Sequence, residues 1–325
     1  IKYWEADTEP EGFTPYSPDE GWQGHPEKYT EFLRVTSGII KEECKDCKIV
    51  LGGLGGPEIG LSENSNQVKF LESVLEAGGG KYFDVFEFKQ TYHKASEYTE
   101  LRNKMEIYGR VLAKYGIDIY KIPVFIETAM YDGAPVTLNH PPLPYQSERQ
   151  EAGSLLKTYI FGIAHGIDKI FWINLVERGP DQMHKKEIFY CYGLIHNPQN
   201  DGKSHKKLSY YTYKKMVEIL EGSNWKHIEI VQEKEGVYIY KLTKNGNPIW
   251  VAWNDSKVPK RVKINLGKGT KNVKITEAVP IYESGKEAEN YNNSFREDIK
   301  RNLLKSYPLQ LEFELRESPV FVEET

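Results

Sequence analysis

The sequence predicts an α/β domain built on parallel strands, followed by an all-β sandwich. Two observations carry this reading. Up to about Leu220, short apolar runs alternate with amphipathic stretches at helical spacing. After about Ser223 that texture gives way to short alternating runs broken by turn residues. The expected division is 1–222 for the α/β domain and 223–325 for the sandwich.

In chain order, the strand-like runs of the first domain are Lys2–Ala6, Cys47–Leu51, Phe83–Phe88, Ile122–Ile126 and Lys169–Asn174. They are short and apolar, as strands covered on both faces must be. Amphipathic segments follow them at Pro26–Glu43, Asn66–Ala77, Tyr98–Tyr115, Glu148–His165 and Lys207–Leu220. In the fourth, Leu155, Leu156, Tyr159, Ile160 and Ile163 recur at helical spacing. Gly116 and Gly166 stand where helices should end, because glycine enters the left-handed cap without steric cost. Strand–helix repetition of this kind gives a parallel sheet with crossover helices. Five units leave two architectures: an open five-stranded sheet, or the last five units of an eight-stranded (β/α)8 barrel.

The second domain reads as strands at His227–Val231, Gly236–Leu242, Pro248–Trp253, Arg261–Leu266, Asn272–Ile281, Leu309–Leu315 and Pro319–Val322. Asn245-Gly246-Asn247 and Gly267-Lys268-Gly269 supply turns. Short strands with frequent turns are the signature of a sandwich. Ser294–Lys305 reads as a helix or a long loop.

The 325 residues suffice for two cores, and 43 basic against 47 acidic residues leave a net charge of -4. That balance offers no field to gather nucleic acid, and the run Lys257–Arg261 reads as a solvated loop. No apolar stretch is long enough to span a bilayer, so no membrane partner is expected. Three cysteines make no disulfide scaffold. Cys44-Lys45-Asp46-Cys47 has no second pair, and reads as a structural thiol pair, with a local disulfide or a metal site as alternatives. Abundant Lys and Glu, with 22 tyrosines, suit a heat-adapted (thermophile) source.

Gly52-Gly53-Leu54-Gly55-Gly56-Pro57 follows a strand, but lacks Gly-Lys-Ser/Thr and opens no helix, so it reads as a plain loop. No Gly-x-Ser-x-Gly elbow is present. The histidines show no metal-ligand spacing, and neither metal nor cofactor is expected.

The chemistry rests on two glutamates at strand ends: Glu9 in Tyr3-Trp4-Glu5-Ala6-Asp7-Thr8-Glu9-Pro10, and Glu127 in Ile122-Pro123-Val124-Phe125-Ile126-Glu127-Thr128-Ala129. A glutamate at a strand end is ordinarily a solvated residue. Two of them at the same end of a parallel sheet can face each other across a sugar, one as proton donor and one as nucleophile.

At Trp4-Glu5-Ala6-Asp7-Thr8-Glu9-Pro10 the chain resembles the clan of retaining glycoside hydrolases with TIM barrels, whose fourth strand typically ends in Asn-Glu-Pro. The seventh strand of that clan ends in the nucleophile Glu, and counting from Glu9 puts Glu127 on the seventh strand. Lys169-Ile170-Phe171-Trp172-Ile173-Asn174 looks like the clan's eighth strand, whose Trp often floors the sugar site. The terminal sandwich looks like the accessory domain of the β-xylosidase and α-L-iduronidase group. The resemblance covers the layout of nearly the whole chain, and its specific part is the two Glu motifs plus Trp172. It implies a barrel with strands four to eight in this chain and the first three missing. It also implies double-displacement hydrolysis of glycosidic bonds, with Glu9 as acid/base and Glu127 as nucleophile. Carbohydrate would be the substrate, and a further copy or a partner chain could supply the missing strands.

The chain departs from that pattern twice. Thr8 stands where the clan usually has Asn, and Asp84-Val85-Phe86-Glu87-Phe88 leads to Lys89 and Gln90 where relatives often carry His. Lys89 would alter which sugars fit. Glu9 is expected to hold a proton near neutral pH and Glu127 to be ionised, with Tyr92 as a donor to it. Besides Thr8 and Lys89, the expected sugar contacts are Trp4, Trp22, Tyr92, His93, Trp172, Asn174 and Glu177, with Tyr16 at an outer subsite. Two other readings compete: a non-catalytic carbohydrate-binding protein on the same scaffold, and one part of a split-barrel assembly.

Overall fold

The computed structural model describes residues 1–12, 22, 24–55, 60–91, 94, 97–135, 143–179, 190–288, 290–301 and 309–325. The chain forms two compact units: residues 1–92, 99–129 and 165–173, and residues 93–98, 130–164 and 174–325. No helix among the described residues is long and apolar enough to cross a membrane.

The first unit is a parallel sheet of β1 (Tyr3–Thr8), β2 (Lys48–Gly53), β3 (Phe86–Thr91), β4 (Val124–Ala129) and β5 (Lys169–Trp172), with helices α1 (Pro26–Glu43), α2 (Asn66–Glu76) and α3 (Glu100–Lys114). Each strand lies beside its sequence neighbour: β1 with β2, β3 with β4, β4 with β5, and β2 with β3 through the bridges Val50–Val85 and Leu54–Phe88. Pro26 opens α1, where its missing N–H costs nothing. Tyr29, Leu33 and Ser37 on α1, and Val68, Leu71 and Val74 on α2, bury one stripe each. Two aspartates pin strand starts to their neighbours. The Ile49 N–H donates to Asp84 at 2.9 Å, and the Val124 N–H to Asp168 at 2.8 Å.

The strands run further than the apolar pattern indicates. β1, β2, β3 and β4 end at Thr8, Gly53, Thr91 and Ala129, because backbone pairing continues after the side chains turn polar. Glu127 therefore lies inside β4, not at its last residue. The expected loop beginning at Gly52 opens as the end of β2. The expected thiol pair is a disulfide: Cys44 and Cys47 are bonded, with Cα atoms 5.4 Å apart. A tight turn, with the Cys47 N–H donating to the Cys44 carbonyl at 3.1 Å, brings them together.

The second unit holds α4 (Glu148–Ala164), the short α5 (Pro198–Asp201), α6 (Leu208–Leu220) and all remaining strands. These are β6 (Glu229–Lys234), β7 (Val237–Lys244), β8 (Asn247–Asn254), β9 (Lys260–Asn265), β10 (Val273–Glu277), β11 (Glu297–Lys300), β12 (Gln310–Leu315) and β13 (Val320–Glu324). A six-stranded antiparallel sheet in the order β11-β10-β13-β8-β7-β6 faces the pair β12-β9. Val237, Ile239, Trp250, Ala252, Ile264, Leu311, Phe313 and Val322 fill the space between them. On the other face of β7 and β8, Tyr238 and Trp253 stack at 5.3 Å, and the Trp253 indole donates to the Tyr98 hydroxyl at 2.7 Å. The segment expected as helix or loop contains β11 instead. Its only apolar residue is the exposed Ile299, so an edge strand of this kind leaves no apolar alternation to read.

Candidate active site

The C-terminal ends of β1, β2, β3 and β4 gather five glutamates and one lysine in the first unit. β1 kinks as it ends: Asp7 and Glu9 both adopt positive φ, 73° and 49°. Such backbone is uncommon for non-glycine residues and here it is anchored on both sides. The Asp7 carboxylate accepts the Thr8 N–H at 2.8 Å and the Trp22 indole N–H at 2.6 Å. The Glu9 N–H donates to the Gly53 carbonyl at 3.0 Å, and the Gly12 N–H closes a turn onto the Glu9 carbonyl at 2.9 Å.

Bare backbone on β2 makes room for these groups. A Cβ at Gly53 would sit 3.3 Å from both Glu87 Cγ and Lys89 Cε. A Cβ at Gly55 would sit 3.0 Å from Glu11 Oε1 and 3.2 Å from Glu9 Cγ. The glycine run thus forms one wall of the acidic cluster.

Lys89 lies opposite Glu127 in the β3–β4 register. Its ammonium is 2.8 Å from Glu127 Oε2 and 3.6 Å from Glu9 Oε1. Two more carboxyls approach from the same side, on Glu5 and Glu87. Oxygens of Glu5, Glu87 and Glu127 all lie within 4.8 Å of one another, a spacing that could hold a cation. The cation beside them is the Lys89 ammonium. The Gly53 N–H donates to Glu5 at 3.2 Å.

Burial sets the proton affinities. Glu87, 3% exposed, is pushed up to about 8 by desolvation, helped by the charges of Glu5 and Glu127. Glu11, 4% exposed, is pushed up to about 7 by desolvation, helped by Glu9. Desolvation also raises Glu5. Desolvation pulls the Lys89 ammonium down, but its bond to Glu127 outweighs this and its pKa is raised. The cluster can therefore store protons and present carboxylates within one small volume.

The other expected site residues fall in different places. Trp172 pairs with Thr128, one residue beyond Glu127, so strand alternation turns it to the opposite sheet face, and among the described residues its buried indole N–H has no hydrogen-bond partner. Phe171 pairs with Glu127 and shares its face. Trp4 pairs with Ile49 and stays 43% exposed. Trp22, besides bonding Asp7, stacks on Phe32 of α1 at 5.4 Å. Thr8 is exposed at the end of β1. Tyr16, Tyr92 and His93 lie outside the described residues.

Asn174 and Glu177 belong to the second unit. There Glu177 sits in a buried ionic network, 3.4 Å from the Lys207 ammonium and 3.2 Å from His196 Nδ1. Lys207 has no exposure and also meets Asp132 at 2.5 Å and Glu151 at 3.1 Å. Burial would lower His196, but the Glu148 carboxylate 3.7 Å from its Nε2 and the bond to Glu177 outweigh this and push it up to about 9. Burial would raise Glu148, but the His196 ring 3.7 Å away and hydrogen bonds from Ser284, Gly285 and Leu208 hold it down at about 2.

Sequence reasoning missed Glu5, Glu11 and Glu87, and missed the role of Gly53 and Gly55. A signal for Glu87 was present. Glu87 and Lys89 alternate with the buried Phe86 and Phe88, so both polar residues had to share one face of a strand.

No family model matches the chain, and no curated protein sequence does. Solved structures do. A family 39 glycoside hydrolase from the gut symbiont Bacteroides cellulosilyticus WH2 aligns over 100% of this chain, with a TM-score of 0.63 at 14% identity. A thermostable GH51 α-L-arabinofuranosidase from Thermotoga petrophila RKU-1 also aligns over 100%, with a TM-score of 0.66 at 12% identity. The family 51 α-L-arabinofuranosidase AbfB from Bifidobacterium longum aligns over 99%, with a TM-score of 0.63 at 12% identity. The chain spans 58% of the first of these structures and 66% of the other two. The fold is thus that of TIM-barrel glycoside hydrolases carrying a C-terminal β domain.

Proposed function

We propose that this chain carries the catalytic pair of a retaining glycoside hydrolase, with Glu9 as acid/base and Glu127 as nucleophile. The observation that supports this is the Lys89 ammonium, held by Glu127 at 2.8 Å and Glu9 at 3.6 Å. The nearest oxygens of the two carboxyls are then no further apart than those two contacts end to end. That bound admits the roughly 5–5.5 Å separation of a retaining pair.

In this mechanism the Glu9 carboxyl gives its proton to the departing glycosidic oxygen while Glu127 bonds the anomeric carbon. Glu9 then takes a proton from the water that cleaves the glycosyl-enzyme. Lys89 orients Glu127 in the free enzyme and yields its place as the sugar enters. Turnover of a panel of aryl glycosides tests the reading. Glu127→Ala should abolish turnover, azide or formate should restore it, and NMR of the product should show retained anomeric configuration. Undiminished turnover by Glu127→Ala, or an inverted product, refutes the assignment.

One observation favours a second reading, a carbohydrate-binding protein without turnover: the ammonium stands between the two carboxylates, where the anomeric centre would lie, and Thr8 precedes Glu9. Sugar affinity with no turnover of any glycoside would select it. We further propose that the five-stranded sheet is strands four to eight of a (β/α)8 barrel, with the division of labour falling near residue 222. Among the described residues β1 pairs only with β2 and β5 only with β4, and Tyr3, Trp4 and Phe171 on these edge strands are exposed. Three further units, from the same or another chain, would pair with both edges.

A further inference from the structure

We infer that Glu11 is the positioning residue of the acid/base: across the bare backbone of Gly55 it forms a carboxyl pair with Glu9 that holds one proton in reserve. The inference rests on the glycosidase reading for its catalytic meaning, but the pairing itself stands on geometry. The turn Glu9-Pro10-Glu11-Gly12, closed by the Gly12 N–H to the Glu9 carbonyl at 2.9 Å, sends both side chains to the same wall. A single added atom on Gly55 would lie 3.0 Å from Glu11 Oε1, 3.2 Å from Glu9 Cγ and 3.3 Å from Glu9 Cδ. Both side chains therefore pack against one Cα.

Their environments differ. The Glu9 side chain is 44% exposed, whereas Glu11 is 4% exposed. The backbone N–H groups of Glu11 and Gly55 favour its anion, and among the described residues its buried Oε2 has no hydrogen-bond partner. A buried acceptor left unpaired costs free energy, and a proton on that oxygen lowers the cost. The charged and titratable groups that face Glu11 are Glu9, Lys89 and the buried phenols Tyr29 and Tyr108. Lys89 and Glu11 act on Glu9 in opposite senses. The ammonium lies 3.6 Å from Glu9 as an opposite charge, whereas the Glu11 carboxyl is a like charge across Gly55, and the Glu9 charge raises Glu11. Burial raises Glu11 to about 7, so the pair exchanges its proton in the range where a glycosidase acid must work.

The experiment compares kcat/KM against pH for wild type, Glu11→Gln, Glu11→Asp and Gly55→Ala on one aryl glycoside. Carboxyl 13C NMR titrations of the same proteins and of Glu9→Gln run alongside. With Glu11 neutral, the negative charge it places beside Glu9 across Gly55 is gone. The alkaline limb of the profile should move down by about one pH unit in Glu11→Gln, a tenfold loss of rate on that side. Glu11→Asp should restore part of the shift, and Gly55→Ala, which wedges a methyl between the carboxyls, should move the limb the same way. By NMR, one carboxyl titrating near 7 should vanish in Glu11→Gln and fall in Glu9→Gln. An alkaline limb unmoved in Glu11→Gln, or a Glu11 titration indifferent to Glu9→Gln, overturns the pairing. If wild type turns over no glycoside, the NMR arm decides the pairing alone and the glycosidase reading fails separately. If Glu11→Gln does not fold, Gly55→Ala and Glu9→Gln carry the decision.

Discussion

Replacing Lys207 by methionine removes a charge that has no exposure and three carboxyl neighbours. The ammonium lies 2.5 Å from Asp132, 3.1 Å from Glu151 and 3.4 Å from Glu177, and also donates to the Cys191 carbonyl at 3.0 Å. Methionine keeps most of the stem's length and apolar volume, so the loss is chiefly electrostatic. Breaking a buried pair by deleting one partner costs about 3–5 kcal/mol, since the other charge is left without compensation. At about 2–4 °C per kcal/mol for large domains, Tm should fall by about 6–20 °C. Urea denaturation and calorimetry at pH 7 and pH 5 measure it. The sign of the pH effect follows from linkage. Without the ammonium, whose charge lowers Glu151 and Glu177, burial raises both folded carboxyls. Such groups stabilise at low pH and lose that contribution as pH rises. The deficit against wild type should therefore be largest at pH 7 and shrink toward about pH 4–5. A loss below about 1 kcal/mol at pH 7, or a deficit that widens on acidification, would refute the reasoning.

Three further outcomes are expected. Glu87, raised from 4.5 to about 8 by burial, Glu5 and Glu127, contributes stability that is present below 4.5 and lost as pH rises toward 8. Glu87→Gln should therefore stabilise the chain by about 1–3 kcal/mol at pH 7, with no gain at pH 4, as read by urea denaturation. His196, raised from 6.5 to about 9, contributes stability present below 6.5 and lost as pH rises through 9. His196→Gln should flatten the stability profile over that window, removing up to about 3 kcal/mol of dependence. Changing Cys44 and Cys47 to serine opens a short loop and should cost about 2 kcal/mol or less, read as a small fall in Tm.

The amino-acid pattern carried the scaffold further than the site. Pro26–Glu43 is a helix end to end, because Pro26 and the buried stripe of Tyr29, Leu33 and Ser37 act locally. The strands were legible where both faces are apolar and illegible where pairing outlasts the apolar run, as at Lys89 to Thr91. β11 was hidden because three of its four residues are charged. The Cys44–Cys47 bond depends on redox state as well as spacing, and spacing alone left a thiol pair, a local disulfide and a metal site open. Glu9 and Glu127 drew attention through their motifs, and one ammonium joins them. Glu5 and Glu11 escaped notice because the pairing of strands far apart in the chain brings them beside Glu87 and Lys89, whereas Glu87 was legible in its alternation with Phe86 and Phe88.

The glycine wall at the end of β2 and just past it limits how this acidic cluster can change. A surface made of main chain has no side chain to exchange, and any substitution at residue 53 or 55 would push first against Lys89 and Glu87 or against Glu9 and Glu11. Change on this side is therefore confined, and the backbone holds the charged groups at fixed spacing like the jaw of a vice.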